Sequence, residues 1–258
     1  MGELFKLGLC RSYFPGSTLH LIISLFAVVL IGYLLGSLNF GVIISKAFYG
    51  GDVRKHGSGA SGATNMQRTY GNFPAAMTFL GDGLKTAAAV FIGALFLGRY
   101  NAVFYVCDGV SYASFDALLR GVDLSALPGA VSYTGFAGMY IGGAASLVGH
   151  AFPVYYGFKG GKCVASTFFL VLCTEPVVAL VCLLFFVAVV WATKFISAGS
   201  VMCVIVYPLI LNRITGAGLH NIAAIIIALF VVYLHRENII RLINGKENKL
   251  SLKKKSGE

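Results

Sequence analysis

Five long stretches of this sequence contain no Asp, Glu, Lys or Arg. They are Thr18–Ser45, Ala130–Phe158, Pro176–Thr193, Phe195–Asn212 and Ile214–Leu234. Uncharged, mostly apolar runs of about 18 residues or more are typical of transmembrane helices, because a helix needs about 20 residues to cross the hydrocarbon core. Charged residues make up only 12% of the chain. The pattern therefore predicts an all-α, polytopic integral membrane protein. It excludes a secreted disulfide scaffold, a disordered chain and a soluble nucleic-acid binder.

Charged and polar residues divide the chain into about seven predicted spans. These are Leu19–Phe48, Phe73–Leu97, Ala130–Gly149, Cys163–Thr174, Val177–Thr193, Phe195–Leu211 and Thr215–Leu234. The fourth is short enough to be either a full crossing or a re-entrant segment. A polar connection over Arg99–Pro128 joins the second and third spans. We expect residues 1–18 to be an external extension, residues 19–249 to form one seven-helix domain and residues 250–258 to form a basic cytoplasmic tail.

The distribution of Lys and Arg predicts the orientation in the membrane. With seven crossings, one side holds 14 basic residues: Lys46, Arg54, Lys55, Arg68, Lys159, Lys162, Lys194 and the seven of residues 236–258. The other side holds five: Lys6, Arg11, Arg99, Arg120 and Arg213. Because cytoplasmic loops are enriched in Lys and Arg, we expect a cytoplasmic C-terminus and an external N-terminus. The net charge of +10 then reflects topology and contact with lipid headgroups, and no nucleic-acid partner is expected.

The six cysteines form no CxxC pair and mostly lie in apolar runs. A free cysteine in such a run behaves as a small apolar residue. We therefore expect no disulfide, no metal site and no cofactor.

The polar segment after the first span has the composition of an oxyanion-binding loop. Glycines allow the backbone to approach a ligand closely, and hydroxyl, amide and guanidinium groups supply further donors. Its candidate residues are Gly57, Ser58, Gly59, Thr64, Asn65 and Arg68. A helix that begins near Thr64 adds a partial positive charge at its N-terminus. The alternative is an ordinary Gly/Ser loop between two helices.

A second Gly/Lys segment spans Gly149–Ser166 and contains His150, Gly160, Gly161 and Lys162. Its glycines and lysines are typical of an anion-binding nest. It is not a Walker A loop, because that motif requires other residues at Tyr156 and Cys163. The alternative is a cytoplasmic turn whose lysines reach the headgroups.

Two further pairs of polar residues are candidates for function. His235 and Asn238 follow the last span at a spacing of i, i+3, which places them on one face of a helix. Asp82 and Lys85 have the same spacing inside the second span. An intramembrane ion pair is either a functional site or structural glue, and the sequence leaves both interpretations open.

Two common catalytic signatures are missing. None of the five histidines is followed by Asp five positions later, and no GxSxG elbow is present. The candidate residues are therefore mainly hydrogen-bond donors and cations.

The three segments, in this order, resemble the bacterial acyl-phosphate:glycerol-3-phosphate acyltransferase (PlsY) family. The first matching motif is Gly36-Ser37, Asp52-Val-Arg54, Gly57-Ser-Gly, Gly62-Ala-Thr-Asn65 and Arg68; the second is Gly149-His150, Pro153 and Phe158-Lys-Gly-Gly-Lys162; the third is His235-Arg-Glu-Asn-Ile, Arg241-Leu and Gly245-Lys-Glu247. The resemblance covers about residues 34–249. Ala60 and Cys163 stand where the family usually has Asn and Gly.

The resemblance implies a seven-helix enzyme of the bacterial cytoplasmic membrane that starts phospholipid synthesis. It transfers a fatty acyl chain from acyl phosphate to the sn-1 hydroxyl of glycerol 3-phosphate, giving lysophosphatidic acid and phosphate. By motif position, the catalytic residues are Ser58, Arg68, Lys162, His235 and Asn238, and the substrate-binding residues are Gly57, Gly59, Thr64, Asn65, His150, Gly160 and Gly161. Membrane lipid and other lipid-synthesis enzymes are the expected partners.

Two other functions remain open at this point. Transporters also aim donors from broken helices at an anionic solute, so a carrier of a phosphorylated solute is the main alternative. An accessory subunit that has lost catalysis is the other.

Overall fold

The computed structural model describes residues 18–97, 102–107, 110–112, 133–135, 137–215 and 219–250. Almost all of the predicted N-terminal extension, and residues 251–258 of the predicted tail, lie outside this part of the chain.

Ten α-helices are present in the described residues. They are α1 Thr18–Ser37, α2 Phe40–Tyr49, α3 Ala63–Tyr70, α4 Asn72–Leu97, α5 Ala137–Ala151, α6 Val164–Thr174, α7 Pro176–Thr193, α8 Ile196–Thr215, α9 Leu219–Leu234 and α10 Arg236–Ile243. Short 3₁₀ turns at Val53–Lys55 and Val154–Tyr156 lie in the two Gly-rich segments.

The prediction of a polytopic helical membrane protein is confirmed, but the count of about seven crossings is not. Four segments of the described chain are long and apolar enough to cross a membrane, namely Leu19–Tyr49, Asn72–Leu97, Pro176–Thr193 and Ile196–Thr215. Helices α9 and α10 make a fifth if the pair, which is bent by 60°, is one span. Helix α5 has 15 described residues and α6 has 11, fewer than the roughly 17–25 of a full crossing.

The connection between α4 and α5 contains a small antiparallel sheet that the sequence analysis did not predict. Its strands are β1 Ala102–Cys107, β2 Val110–Tyr112 and β3 Tyr133–Gly135. The order is β2-β1-β3, with Val106 paired with Ser111 and Val103 with Thr134. The β-branched and aromatic residues of β1 suit a strand.

Helix α5 packs against α1 and α4 through small residues. A Cβ at Gly36 of α1 would overlap the backbone of Ser146, and one at Gly93 of α4 would overlap the backbone of Gly138. Small residues let membrane helices approach this closely. The three helices therefore form a closely packed unit that supports the polar segments.

The first span is broken between α1 and α2, and the ion pair of α4 lies at the break. Asp82 Oδ1 accepts from the Phe40 amide at 3.3 Å, at the first turn of α2. Lys85 Nζ donates to the Leu38 carbonyl at 2.5 Å and to Asp82 Oδ1 at 2.8 Å. A break inside a membrane leaves backbone groups that need partners, so Asp82 and Lys85 act here as the structural link that the sequence left open.

Candidate active site

The three motif segments meet at one end of the helix bundle, around a cavity of about 300 Å³. The cavity is lined by Ser58, Ala60, Gly62, Ala63, Thr64, Asn65, Arg68, Phe79, Asp82, His150, Lys162, Cys163, Val164, Ala165, Phe186, Ile196, Ser197, Ser200, His235, Asn238 and Glu247. All five residues that the resemblance marked as catalytic are in this lining, as are Thr64, Asn65 and His150. Gly57, Gly59, Gly160 and Gly161 are not.

Asn65 holds the first loop in shape. Its Oδ1 accepts from the Ser58 amide at 2.9 Å, and its Nδ2 lies 2.8–3.0 Å from the carbonyl oxygens of Val53, His56 and Ala60. The side chain is therefore occupied by the loop, and the geometry favours a positioning role over direct substrate contact.

Gly57 and Gly59 shape the same loop without lining the cavity. Their φ angles of 59° and 73° are in the left-handed region, which glycine adopts without steric cost. The loop leads into α3, whose first amides, at Ala63 and Thr64, are among those that a helix leaves without an intrahelical partner.

Arg54 ties the first segment to the second. Its guanidinium pairs with Asp52 at 2.7 Å and donates to the carbonyl oxygens of Tyr156 and Lys159 at 2.8 and 2.9 Å. The hydrogen bond from Arg54 lowers the pKa of Asp52 to about 2, against a smaller opposing effect of burial. This arginine is thus a structural link between two walls of the site.

The second segment corrects the expectation that Gly160 and Gly161 supply backbone donors to a phosphate. Their amides donate to the carbonyl oxygens of Ala151 and His150, at 3.2 and 3.1 Å. Neither glycine has a positive φ. A Cβ at Gly160 would overlap the His150 carbonyl, and one at Gly161 would overlap the His150 imidazole. These glycines are required because the segment folds tightly back onto the end of α5.

A chain of polar contacts joins the second segment to the third. Lys162 Nζ donates to Asn238 Oδ1. Asn238 Nδ2 donates to Glu247 Oε1 at 3.0 Å, and Arg241 Nε donates to Glu247 Oε2 at 2.8 Å. Lys162 and Asn238 therefore hold each other in place across the cavity.

Burial and neighbouring charges shift the pKa values of Lys162 and Glu247 in this series of polar contacts. Burial lowers the pKa of Lys162, and the nearby Arg241 and Arg68 lower it further. Burial raises the pKa of Glu247, but the hydrogen bonds from Arg241 and Asn238 outweigh it, so the pKa is lowered overall. In the sequence, Glu247 is only one member of the third motif. The structure identifies it as part of the cavity wall.

Several donors and acceptors of the cavity remain available to a ligand. Arg68 and Ser58 are exposed at its rim, and Arg68 forms no ion pair or hydrogen bond with the described part of the chain. His235 Nδ1 lies 2.8 Å from the Val231 carbonyl. A carbonyl only accepts, so Nδ1 carries the proton and His235 Nε2 is an acceptor.

The remaining wall is apolar and was not predicted. Phe79, Val164, Ala165, Phe186 and Ile196 line it, from helices α4, α6, α7 and α8. Ser197 and Ser200 of α8 add hydroxyls that belong to none of the three motifs. Sequence patterns did not single these residues out because apolar and small residues occur throughout the spans.

The cavity combines a cationic rim with an apolar wall. Cys163 is the only thiol in the described lining, and it is buried and donates to the Leu147 carbonyl at 3.2 Å. The arrangement can bind phosphate groups and hold an apolar chain beside them, without a poised protein nucleophile.

Comparison with known proteins matches most of the chain to one family. The family model for glycerol-3-phosphate acyltransferase matches residues 26–245. A glycerol-3-phosphate acyltransferase of Clostridioides difficile (strain 630) is 37% identical over 90% of this chain and 98% of its own length. One from Carboxydothermus hydrogenoformans is 34% identical, over 87% of this chain and 96% of its own length.

Two solved structures have the same fold. They are the glycerol 3-phosphate form of PlsY (YgiH), an integral membrane glycerol 3-phosphate acyltransferase, with a TM-score of 0.69 and 30% identity, and its lysophosphatidic acid form, with a TM-score of 0.67 and 29% identity. In both cases the match covers 88% of this chain and 96% of the other.

The fold and these relatives therefore define an integral membrane acyltransferase. The chain belongs to the glycerol-3-phosphate acyltransferase family. The transporter alternative is not favoured by any of these comparisons.

Proposed function

We propose that the protein transfers an acyl chain from acyl phosphate to the sn-1 hydroxyl of glycerol 3-phosphate, releasing lysophosphatidic acid and inorganic phosphate. One observation carries the proposal: the cationic residues and the apolar wall line the same cavity. Both substrates bear a phosphate and one bears an acyl chain, so this pairing of surfaces matches their chemistry.

The cationic side of the cavity binds the two phosphates. Arg68 offers a fork of donors suited to a phosphoryl group, and Lys162 lies across the cavity on its tether to Asn238. The first amides of α3 and the Ser58 hydroxyl add neutral donors at the rim. Bringing two anions together requires such charge neutralisation, and it also positions the reacting groups.

The reaction needs little covalent help from the protein, because acyl phosphate is a mixed anhydride and is already activated. The sn-1 oxygen attacks the acyl carbonyl carbon, and the bond from that carbon to the phosphate oxygen breaks. Inorganic phosphate leaves, and a phosphate oxygen takes up the proton of the attacking hydroxyl. Donors that stabilise the oxyanion formed in this step supply much of the rate enhancement.

The apolar wall provides the place for the acyl chain. Phe79 of α4 and Phe186 of α7 face the cavity on this side, between helices that are long and apolar enough to cross the membrane. The acyl chain therefore stays in the bilayer while its phosphate reaches the cations.

We further propose that the cavity opens to the cytoplasm and that the enzyme lies in the bacterial cytoplasmic membrane. Association with other lipid-synthesis enzymes remains a prediction.

The test is an assay of the purified protein with acyl phosphate and glycerol 3-phosphate, scoring lysophosphatidate and released phosphate. Acyl-CoA and acyl carrier protein donors are run beside it. None of the five histidines is followed by Asp five positions later, which is the signature of acyltransferases that use such thioester donors, so we predict that these donors are not used. We expect turnover with acyl phosphate alone. Equal rates with acyl-CoA would contradict the proposed donor. Liposomes that take up glycerol 3-phosphate without forming product would support the transporter instead.

A further inference from the structure

The last part of the described chain, residues 236–250, forms one wall of the cavity and also has a surface that faces away from it. We call these residues the C-terminal segment. Its Asn238 and Glu247 are buried and line the cavity. Ile240 and Ile243 of the same helix, α10, are 58% and 79% exposed. Because residues two positions apart lie on nearly opposite sides of a helix, α10 presents Asn238 to the cavity and Ile240 away from it.

The direction of α10 suits the surface of a membrane. The helix is bent by 60° from the apolar helix α9, so it turns across the end of the bundle. A helix with an exposed apolar face and basic residues beside it is typical of the interface between headgroups and acyl chains. At the bend, the Arg236 guanidinium lies 4.6 Å from the centre of the Tyr233 ring. Tyrosine and tryptophan are enriched at the headgroup level, which places the bend at that depth.

The end of the C-terminal segment is bonded to the turn between α7 and α8. The Leu250 amide donates to the Lys194 carbonyl at 2.7 Å, which brings Lys249 beside that turn. Lys194 Nζ lies 5.5 Å from the centre of the Trp191 ring, and Trp191 is 76% exposed. The segment and the turn therefore share one edge of the molecule, which carries a tryptophan and lysines.

The exposed charges along this edge are mostly positive. Four exposed cations stand against one exposed carboxylate, that of Glu237; the cations are Lys194, Arg236, Lys246 and Lys249. Within the described residues, the ion pairs of the segment all involve Arg241, so the four cations are not neutralised by a carboxylate. A surface of this kind is attracted to a leaflet that contains anionic lipid.

The C-terminal segment is held to the bundle by few polar contacts. Beyond its junction with α9, three of them join it to the rest of the described chain: Asn238 with Lys162, Glu247 with Ser197 and Leu250 with Lys194. The hydrogen bonds of Glu247 to Asn238 and Arg241 stay within the segment. A wall held by few contacts opens at little cost in free energy, so a further contact on its outer side stabilises the closed cavity.

We propose that the C-terminal segment docks on anionic phospholipid at the cavity end of the protein, and that this docking holds Asn238 and Glu247 in the cavity wall. Ile240 and Ile243 enter the upper acyl region, and the lysines bind the phosphates of the headgroups. The inference rests on the proposed function only in its effect on turnover, because docking itself requires no substrate.

The first experiment uses Trp191, the only tryptophan of the chain, as a fluorescent probe of this edge. The full-length protein is placed in nanodiscs of two parts phosphatidylcholine to one part phosphatidylglycerol. Bromine atoms, which quench tryptophan on contact, are carried by the anionic lipid in one sample and by an equal amount of the zwitterionic lipid in the other. We expect the brominated anionic lipid to quench Trp191 more strongly. Equal quenching would overturn the inference.

Lys246→Gln and Lys249→Gln remove headgroup contacts without altering the cavity lining. Each should raise the proportion of phosphatidylglycerol needed for half-maximal quenching by about fivefold, because each lysine near an anionic surface adds a similar attraction. Lys55→Gln is the matched control, since Lys55 is also exposed but lies in the 3₁₀ turn of the first segment. A change in Lys55→Gln as large as in the other two would overturn the assignment of the site.

The second experiment measures whether lipid holds the segment in the cavity wall. Trypsin cleavage after Arg241 reports release of the segment, because Arg241 is bonded to Glu247 in the closed cavity. We expect this cleavage to be slower by about fivefold or more in discs with phosphatidylglycerol than in discs of phosphatidylcholine. The double variant Lys246→Gln/Lys249→Gln should lose the protection. Equal cleavage rates in the two kinds of disc would overturn the coupling. Protection by soluble inorganic phosphate, without anionic lipid, would identify a site for free anions instead.

Turnover in the same discs connects docking to the reaction. The wild type and the double variant are compared within one disc composition, because an anionic surface also repels the anionic substrates. We expect the wild type to be faster by about fivefold in discs with phosphatidylglycerol and equal to the variant in discs without it. Equal turnover in both would overturn the effect on the site. Quenching and cleavage need no turnover, so a protein that docks but makes no lysophosphatidate would contradict the proposed function alone.

Discussion

Arg54 and Arg68 lie on either side of the same Gly-rich loop, in a 3₁₀ turn and in α3, yet their guanidinium groups have different environments. Arg54 is bonded to Asp52 and to two carbonyl oxygens of the second segment. Arg68 is exposed at the rim of the cavity. The sequence presents both as cations beside a Gly-rich loop, and only their contacts separate a structural arginine from one that is free to bind a ligand.

Arg68→Ala should reduce activity without reducing stability. A hydrogen bond to a charged group contributes about 1.5–3 kcal/mol, so we expect turnover to fall by about tenfold or more, at an unchanged melting temperature in detergent. Arg54→Ala is the matched control. It should lower the melting temperature, because it removes contacts between two segments worth about 1–3 kcal/mol. Near-normal activity of Arg68→Ala would remove Arg68 from the site.

The Asp52–Arg54 pair should make stability depend on pH in the acid range. The pKa of Asp52 is lowered from 3.8 to about 2 in the folded protein. A lowered folded-state pKa stabilises the protein above the unfolded value, and the contribution is lost as the pH falls from about 3.8 to about 2. We expect the melting temperatures of wild type and Asp52→Asn to differ above pH 4 and to converge near pH 2. A difference that is constant over this range would contradict the assignment.

At the scale of helices, small residues determine how closely α4 and α5 approach. A Cβ at Gly93 would overlap the Gly138 carbonyl and come within 3.3 Å of the Gly142 amide nitrogen. Backbone atoms cannot move aside as a flexible side chain does, so the two helices would have to separate to make room for a Cβ at this position.

Gly93→Ala should therefore lower the melting temperature, by an amount that corresponds to about 1–3 kcal/mol of overpacking. Gly51→Ala is the control, since its Cβ would lie at an ordinary 3.4 Å from the Tyr70 hydroxyl. We expect that variant to melt like the wild type. Equal melting temperatures for the two variants would show that the close α4–α5 contact at Gly93 does not determine the stability of the protein.

For the whole molecule, the structure supports one part of the topology argument. The three motif segments share one cavity, and the Leu250 amide donates to the Lys194 carbonyl at 2.7 Å. Within the described residues, the segments that carry most of these basic residues therefore lie at one end of the bundle. Which side that is remains a prediction.

Reporter fusions test the orientation. A C-terminal reporter that is active only in the cytoplasm is the expected result, because the 14 basic residues of that side are retained by the positive-inside bias. A C-terminal reporter active only outside the cell would reverse the topology, and the cavity would then open away from the cytoplasm.

The pattern of charges and apolar runs was enough to predict a helical membrane protein and to place most span boundaries within a few residues. The second predicted span, Phe73–Leu97, is α4 almost exactly as observed, Asn72–Leu97. The five residues that the family resemblance marked as catalytic also line one cavity. Local composition determines the spans and the polar segments between them, since the bilayer accepts few charges, whereas the roles of the five residues rest on the resemblance.

Tertiary contacts decided the remaining features, including the role of each polar residue. Gly160 and Gly161 resemble a phosphate nest in sequence, but their amides are bonded to the end of α5. From the sequence alone, Asp82 and Lys85 could be either a functional pair or structural glue. The structure places them beside the break between α1 and α2, where they bond the backbone. A residue type fixes which hydrogen bonds a side chain can form, whereas the folded chain fixes which partners are already present. The sequence by itself therefore determined the class of protein and the segments that form its candidate site, and only the tertiary structure decided which donors of those segments are left for a ligand.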